Sequence, residues 1–239
     1  MEYNLVIFDI GKTLFDKRYS TKVSDNVIRD IKELRKKGIK VGVCTMRNIK
    51  HCQEVLPVEL DFYISLNGSF VVCDNKIVVD VPIELHIDSD NFLSYSNDYT
   101  FYSSEQAKKK AEVNGFIAER EGCAQKIYNA VLFDIDRKDL KNYDCFTKEY
   151  WPTTNTLSLQ NKETSRVKGI YEVLKFYDAE LPILYFGDGP NDLQVFQTFH
   201  NCVCMGDCCP ELKPYSLFQT KSCREDGIAY ALRKLKLLS

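Results

Sequence analysis

Short apolar runs alternate with amphipathic stretches along the first third of the chain. Leu5 to Phe8 is an uninterrupted apolar run that reads as a buried strand, ending on Asp9 with Gly11 close behind. Ser24 to Lys37 reads as the first helix. Val27, Ile28, Ile31 and Leu34 recur on one face, Ser24 suits an N-cap and Gly38 a stop. Ile39 to Cys44 predicts a second buried strand, Asn48 to Leu56 a short helix, and Phe62 to Ser65 a third strand. Strands and helices alternating at this spacing predict a doubly wound parallel sheet.

The pattern then changes. Asn67-Gly68 and Asp74-Asn75 are turn signals around Phe70 to Cys73 and Lys76 to Ile83, which predicts antiparallel hairpins. From about Val81 to Leu159 the segment is mixed, with a polar helix near Ser104 to Val113 and strands at Lys126 to Phe133 and Thr156 to Leu159. Alternation resumes with a helix at Ser165 to Tyr177, a strand at Ile183 to Phe186 and a helix to about Phe199. A strand at Cys202 to Met205 and a helix from Gly227 complete it. The expected fold is therefore α/β, a doubly wound parallel-sheet core at 1–80 and 160–239 with a smaller α/β domain inserted at 81–159.

Composition narrows the class. At 239 residues and 44% hydrophobic, the chain can bury a sizeable core. A net charge of −2 argues against general nucleic-acid or anionic-membrane binding. No apolar run approaches the roughly 18 residues of a membrane span, and the N-terminus shows no basic-then-apolar signal. Ten cysteines in such a chain read as reduced thiols, which predicts a cytoplasmic location. Cys202, Cys204, Cys208 and Cys209 lack the spacing of a zinc ribbon and are expected to serve as small core residues. His51, His86 and His200 are scattered, and the sequence assigns them no role.

The chemistry gathers at strand ends. In open parallel sheets ligands bind outside the carboxyl ends of the strands, where Asp9 stands. Gly187-Asp188-Gly189-Pro190-Asn191-Asp192 places further carboxylates just beyond another apolar strand. Three carboxylates at one sheet edge repel, and a hard divalent cation such as Mg2+ is the usual resolution. Gly11-Lys12-Thr13 is not the end of a P-loop, because Val6 stands where that motif needs glycine.

Several stretches together resemble the four motifs of the haloacid dehalogenase-like (HAD) phosphohydrolases. They are Asp9 with Thr13-Leu14, Thr45 with Arg47, Asn67-Gly68, and Gly-Asp-Gly-x-Asn-Asp at 187–192. Met205-Gly206 and Glu225-Asp226-Gly227 resemble the tail of the Cof-type (HAD-IIB) branch, which carries an inserted C2-type α/β cap. Asp9-Ile10-Gly11-x-Thr13 also resembles the phosphate loop of actin/hexokinase-like sugar kinases. There, however, hairpin strands follow, whereas here a charged loop leads into a helix. The HAD resemblance implies that Asp9 is the nucleophile and that Asp9, Asp188 and the Gly11 carbonyl hold Mg2+, with Asp192 and Asn191 supporting the site. Thr45 would hydrogen-bond the transferring phosphoryl group, and Met46, Arg47 and Asn191 would lie against the substrate.

The family pattern is broken at three places. Its second aspartate, the general acid/base, is Gly11 here. Glycine offers a carbonyl but moves no proton, and acid–base help is worth about 10²–10⁴ in rate. A positive φ would be a purely structural reason for this glycine. Lys12 replaces the family's glycine and either neutralises phosphate or points to solvent. Ser165-Arg166-Val167-Lys168-Gly169-Ile170 resembles the third motif, with Arg166 or, two residues on, Lys168 as its cation. The resemblance implies a Mg2+-dependent phosphohydrolase, a monomer or weak homodimer, acting on a small phosphorylated metabolite through an aspartyl-phosphate at Asp9. The alternative is a catalytically impaired relative that binds a phosphorylated ligand without efficient turnover.

Overall fold

β1 (Leu5–Phe8) is buried on both faces. The computed structural model describes residues 3–87, 89–179 and 182–238. After β1 come α1 (Asp25–Lys36), β2 (Lys40–Cys44), α2 (Ile49–Val55) and β3 (Phe62–Ser65). Ser24 caps α1 by accepting from the Val27 N–H, and Asn48 caps α2 by accepting from the His51 N–H. Gly38, at φ +81°, follows α1 where the sequence places its stop. β4 (Phe70–Cys73) and β5 (Lys76–Asp80) add antiparallel strands. Asp74 and Asn75, both at positive φ, make the turn between them.

A second sheet then forms from β6 (Phe92–Tyr95), β7 (Thr100–Tyr102), β8 (Arg120–Glu121), β9 (Asn129–Leu132), β10 (Phe146–Trp151) and β11 (Thr156–Asn161), with α3 (Glu105–Val113) packed on it. The chain returns to the first sheet through α4 (Arg166–Phe176), β12 (Ile183–Gly187), α5 (Leu193–Phe199), β13 (Cys202–Cys204), β14 (Phe218–Gln219) and α6 (Gly227–Lys234). The first sheet has the order β14-β13-β12-β1-β2-β3-β4-β5, parallel from β14 to β3. Alternation along β1 builds a three-layer core. Val6 and Phe8 join the cluster of α1 and α6, while Leu5 and Ile7 join that of α4 and α5. The α/β class, with a doubly wound parallel core and an inserted α/β cap, is as the sequence predicts.

The inserted sheet was less legible. The stretch expected as one strand from Lys126 to Phe133 is a strand only at Asn129–Leu132, with Ile127 forming a lone bridge to Ile83. The strand expected to reach Ile83 ends at Asp80, before Pro82, which has no N–H for a ladder. β10 escapes pattern reading because it is a half-exposed edge strand rich in polar residues. β6, β7, β8 and β14 are each four residues or fewer, too short for a period to register.

One close approach positions the site. Gly68 lies at φ +93°, and a Cβ there would come within 2.2 Å of the Ser165 carbonyl oxygen at the start of α4. Asn67 beside it accepts from Arg166 Nε at 3.0 Å. Gly68→Ala is therefore expected to destabilise the fold by about 2 kcal/mol or more. Gly189→Ala, whose Cβ meets nothing within 4 Å, should be nearly neutral. Urea midpoints compare the two, and equal midpoints would contradict the packing.

Candidate active site

Asp9 lies one residue beyond β1 and Asp188 one residue beyond β12. The two strands pair in register through Phe8 and Phe186, and the Asp9 N–H continues the ladder to the Phe186 carbonyl at 2.9 Å. β2 and β12 flank β1 on opposite sides, so the carboxylates sit at the crevice where the strand order reverses.

Oxygens of Asp9, Asp188 and Asp192 lie within 4.8 Å of one another. The residues are only 7%, 8% and 1% exposed, so water screens their repulsion poorly. Burial first, and Asp192 second, push the Asp9 carboxyl up to about 7, against the pull of Arg166. Burial, then Asp9 and Asp192, push Asp188 up to about 8, although Thr13 Oγ1 donates to it at 3.2 Å.

Both oxygens of Asp192 are engaged. One accepts the N–H groups of Asp188 and Gly189, each at 3.0 Å, and so ties the loop to itself. The other accepts Tyr185 Oη at 2.6 Å and Arg166 Nη1 at 2.5 Å. Arg166 Nη1 also reaches Asp9 at 3.1 Å, so one buried guanidinium bridges the two carboxylates. Thr45, at the end of β2, is buried, and its Oγ1 accepts the Arg47 N–H at 3.3 Å.

These groups open on a cavity of about 570 Å3 between the two sheets. Gly11, Lys12, Met46, Arg47 and Asn191 line it with the carboxylates, and Tyr95, Thr100 and Phe116 close it from the inserted domain. Arg47 is held against His51, its Nη1 touching the ring Nε2, and lies 5.5 Å from the centre of the Phe15 ring.

A profile of haloacid dehalogenase-like hydrolases matches residues 6–232. The chain belongs to this family. It is 27% identical over 262 aligned residues to the Bacillus subtilis protein named "Putative phosphatase YkrA", with 100% of each chain covered. A Geobacillus kaustophilus crystal structure matches with a TM-score of 0.83 at 23% identity, covering 99% of this chain and 100% of that one. The HAD subclass IIB sugar phosphatase BT4131 matches with a TM-score of 0.76 at 18% identity, covering 98% and 100%. The chain is thus a haloacid dehalogenase-like hydrolase, the family that its motifs resemble.

Within this HAD enzyme, Asp9, Asp188, Asp192 and Arg166 come together, with Thr45 close by in the same cavity wall. Lys168 does not join them: it is exposed, and its Nζ donates to the Glu163 carbonyl at 2.7 Å. Of the two candidate cations Arg166, the first residue of α4, faces Asn67 and the carboxylates, whereas Lys168 lies on another face of the helix. The structural reason offered for Gly11 also fails. Gly11 is not at positive φ, and the left-handed residue is Lys12, at φ 57°. Lys12 is exposed and lines the cavity mouth. Asn191 is exposed at the same mouth.

Sequence reading missed Tyr185, which looks like one more apolar residue of a buried strand, and His51. The only signal for His51 was its place four residues after Arg47 at a helix start. Burial, then Arg47, push the His51 imidazole down to about 4, with Lys17 and Lys50 adding to the shift and Glu54 opposing it. The unfolded chain would bind this proton below about pH 6.5, whereas the folded ring resists until about 4. Stability linked to the neutral ring is therefore complete above about pH 6.5 and is lost as the pH falls, by at most about 1.4 kcal/mol per pH unit. His51→Gln should flatten the stability curve between about pH 6.5 and about pH 4, as read from denaturation midpoints. An unchanged slope would show that His51 is not held neutral.

Proposed function

We propose that this chain is a Mg2+-dependent phosphohydrolase of small phosphorylated metabolites, working through an aspartyl-phosphate at Asp9. The observation that carries the reading is the convergence of Asp9, Asp188, Thr45, Arg47 and Arg166 on the wall of one cavity. A carboxylate attacking an anionic phosphate needs nearby positive charge and oriented donors, and this wall supplies both.

The donor set fits a hard divalent cation. Two buried carboxylates pushed up by burial and mutual repulsion are the crowding that such a cation relieves. Asp9, Asp188 and the Gly11 carbonyl would hold it, while Asp192 fixes the Asp188 loop through its backbone N–H groups. When bound, Mg2+ supplies positive charge to the phosphate oxygens. Arg166 orients the Asp9 carboxylate through its 3.1 Å bond, and Thr45 offers a hydroxyl to the phosphoryl group. Asp9 attacks phosphorus, the leaving group departs, and water then hydrolyses the aspartyl-phosphate. A binding-only protein is not favoured, because the nucleophile, its orienting guanidinium and the carboxylate pair are all in place.

The same proposal takes 1–80 and 160–239 as the core and 81–159 as the cap. Tyr95, Thr100 and Phe116 face the cavity from that cap, so the choice of metabolite is assigned to it. All ten cysteines are unpaired, which fits the reducing cytoplasm proposed for it. No described helix is long and apolar enough to cross a membrane.

Asp9→Asn is expected to lower turnover of a generic phosphomonoester by about 10³-fold or more without changing the circular dichroism spectrum. EDTA should stop the wild type and Mg2+ restore it, while Asp188→Ala stays unresponsive. Near wild-type turnover by pure Asp9→Asn would reject Asp9 as the nucleophile.

A further inference from the structure

The space that a carboxylate at position 11 would fill faces Arg47. A Cβ built on Gly11 meets a single heavy atom within 4 Å, Arg47 Nη2 at 3.8 Å. Arg47 is a half-buried cation whose guanidinium meets a neutral imidazole and an aromatic ring; Asp9 attracts it across the cavity, but among the described residues no carboxylate lies within salt-bridge distance of it. Its guanidinium is fixed from behind by His51. That ring is in turn seated on α2, where its backbone N–H donates to Asn48 Oδ1 at 2.8 Å. Burial holds the guanidinium below its usual pKa range, yet a guanidinium remains charged at any physiological pH. A half-buried cation held by His51 therefore faces the space that the proton donor of this family would fill.

We propose that Arg47 replaces the missing general acid by stabilising the leaving-group oxygen as an anion, with His51 as its positioning residue; because it donates no proton, the enzyme still favours acyl and aryl phosphates over alkyl phosphates, and Arg47 narrows that gap. The inference rests on the phosphohydrolase reading above. In the first step an Asp9 oxygen bonds to phosphorus as the bond from phosphorus to the leaving oxygen breaks. The electron pair goes to that oxygen, which departs as an anion beside Arg47 and takes its proton from water afterwards. In the second step water adds to phosphorus, the bond to Asp9 breaks with its pair returning to the carboxylate, and the proton of the attacking water passes to solvent.

A preorganised donor at a developing oxyanion is worth about 10²–10³ in kcat, and the effect grows with the charge that the leaving oxygen must bear. The experiment measures kcat and KM for aryl phosphates of graded leaving-group pKa, acetyl phosphate and an alkyl phosphate. It compares the wild type with Arg47→Met, Arg47→Lys, His51→Ala and His51→Gln. Arg47→Met should lose about 10²-fold or more in kcat on the most basic phenols and less than about 10-fold on the most acidic, steepening the dependence on leaving-group pKa. Arg47→Lys keeps charge without the planar fork and should fall between. His51→Ala should steepen the dependence too, and His51→Gln, whose amide oxygen can accept from Arg47, should restore it. A loss that is uniform across the series, or confined to KM, would overturn the assignment of Arg47. No turnover by the wild type of any of these phosphates would instead overturn the phosphohydrolase reading itself.

Discussion

Everything at this site depends on holding negative charges together away from water. Asp9, Asp188 and Asp192 are packed within 4.8 Å at the ends of two adjacent strands. Repulsion in such a place is far stronger than at the surface. Arg166 offsets part of it by bridging Asp9 and Asp192, and the loop amides offset more by donating to Asp192. What is left uncompensated, at Asp9 and Asp188, faces the cavity. Under the proposed function, that crowding is what would suit the pair to a divalent cation and Asp9 to attack on phosphate.

The scaffold explains how this crowding survives. The register of β1 with β12 sets Asp9 beside Asp188, and it is held by backbone pairing and a core buried on both faces of the sheet. Gly68 lets α4 come close enough for Arg166 to reach across. The strain of gathering carboxylates is thus borne by hydrophobic burial remote from them, the usual division of labour between a scaffold and its site.

The core was legible because its signals are local. Apolar runs of four or five residues ending on Asp9, Thr45 or Gly187, with capped helices between them, announce both the parallel sheet and the edge where chemistry occurs. The inserted domain was less so, since β6, β7 and β8 are short and β10 is a half-exposed edge strand whose pairing is set by distant residues. Within the site, Asp9 and Asp188 stand out at strand ends, and the family resemblance offered Arg166 or Lys168 as the cation. The choice of Arg166 over Lys168 could not be read from the sequence, because it depends on how α4 is rotated against Asn67. Tyr185 and His51 were hidden for a related reason: their partners, Arg166 and Arg47, are supplied by folding rather than by a motif. Gly11 and Lys12 show the limit most clearly. The backbone conformation reserved for glycine is taken by Lys12, while Gly11 has ordinary φ and is a chemical change, not a conformational necessity.

The account stands on Asp9 as the atom that receives phosphate. Its most direct test is to quench the enzyme during turnover, reduce any acyl phosphate with borohydride, and sequence the peptides by mass spectrometry. The account predicts that residue 9 is recovered as homoserine, in an amount that rises with substrate and vanishes without it. Recovery of a modified Asp188, or of wholly unmodified Asp9 while substrate is consumed, would contradict it.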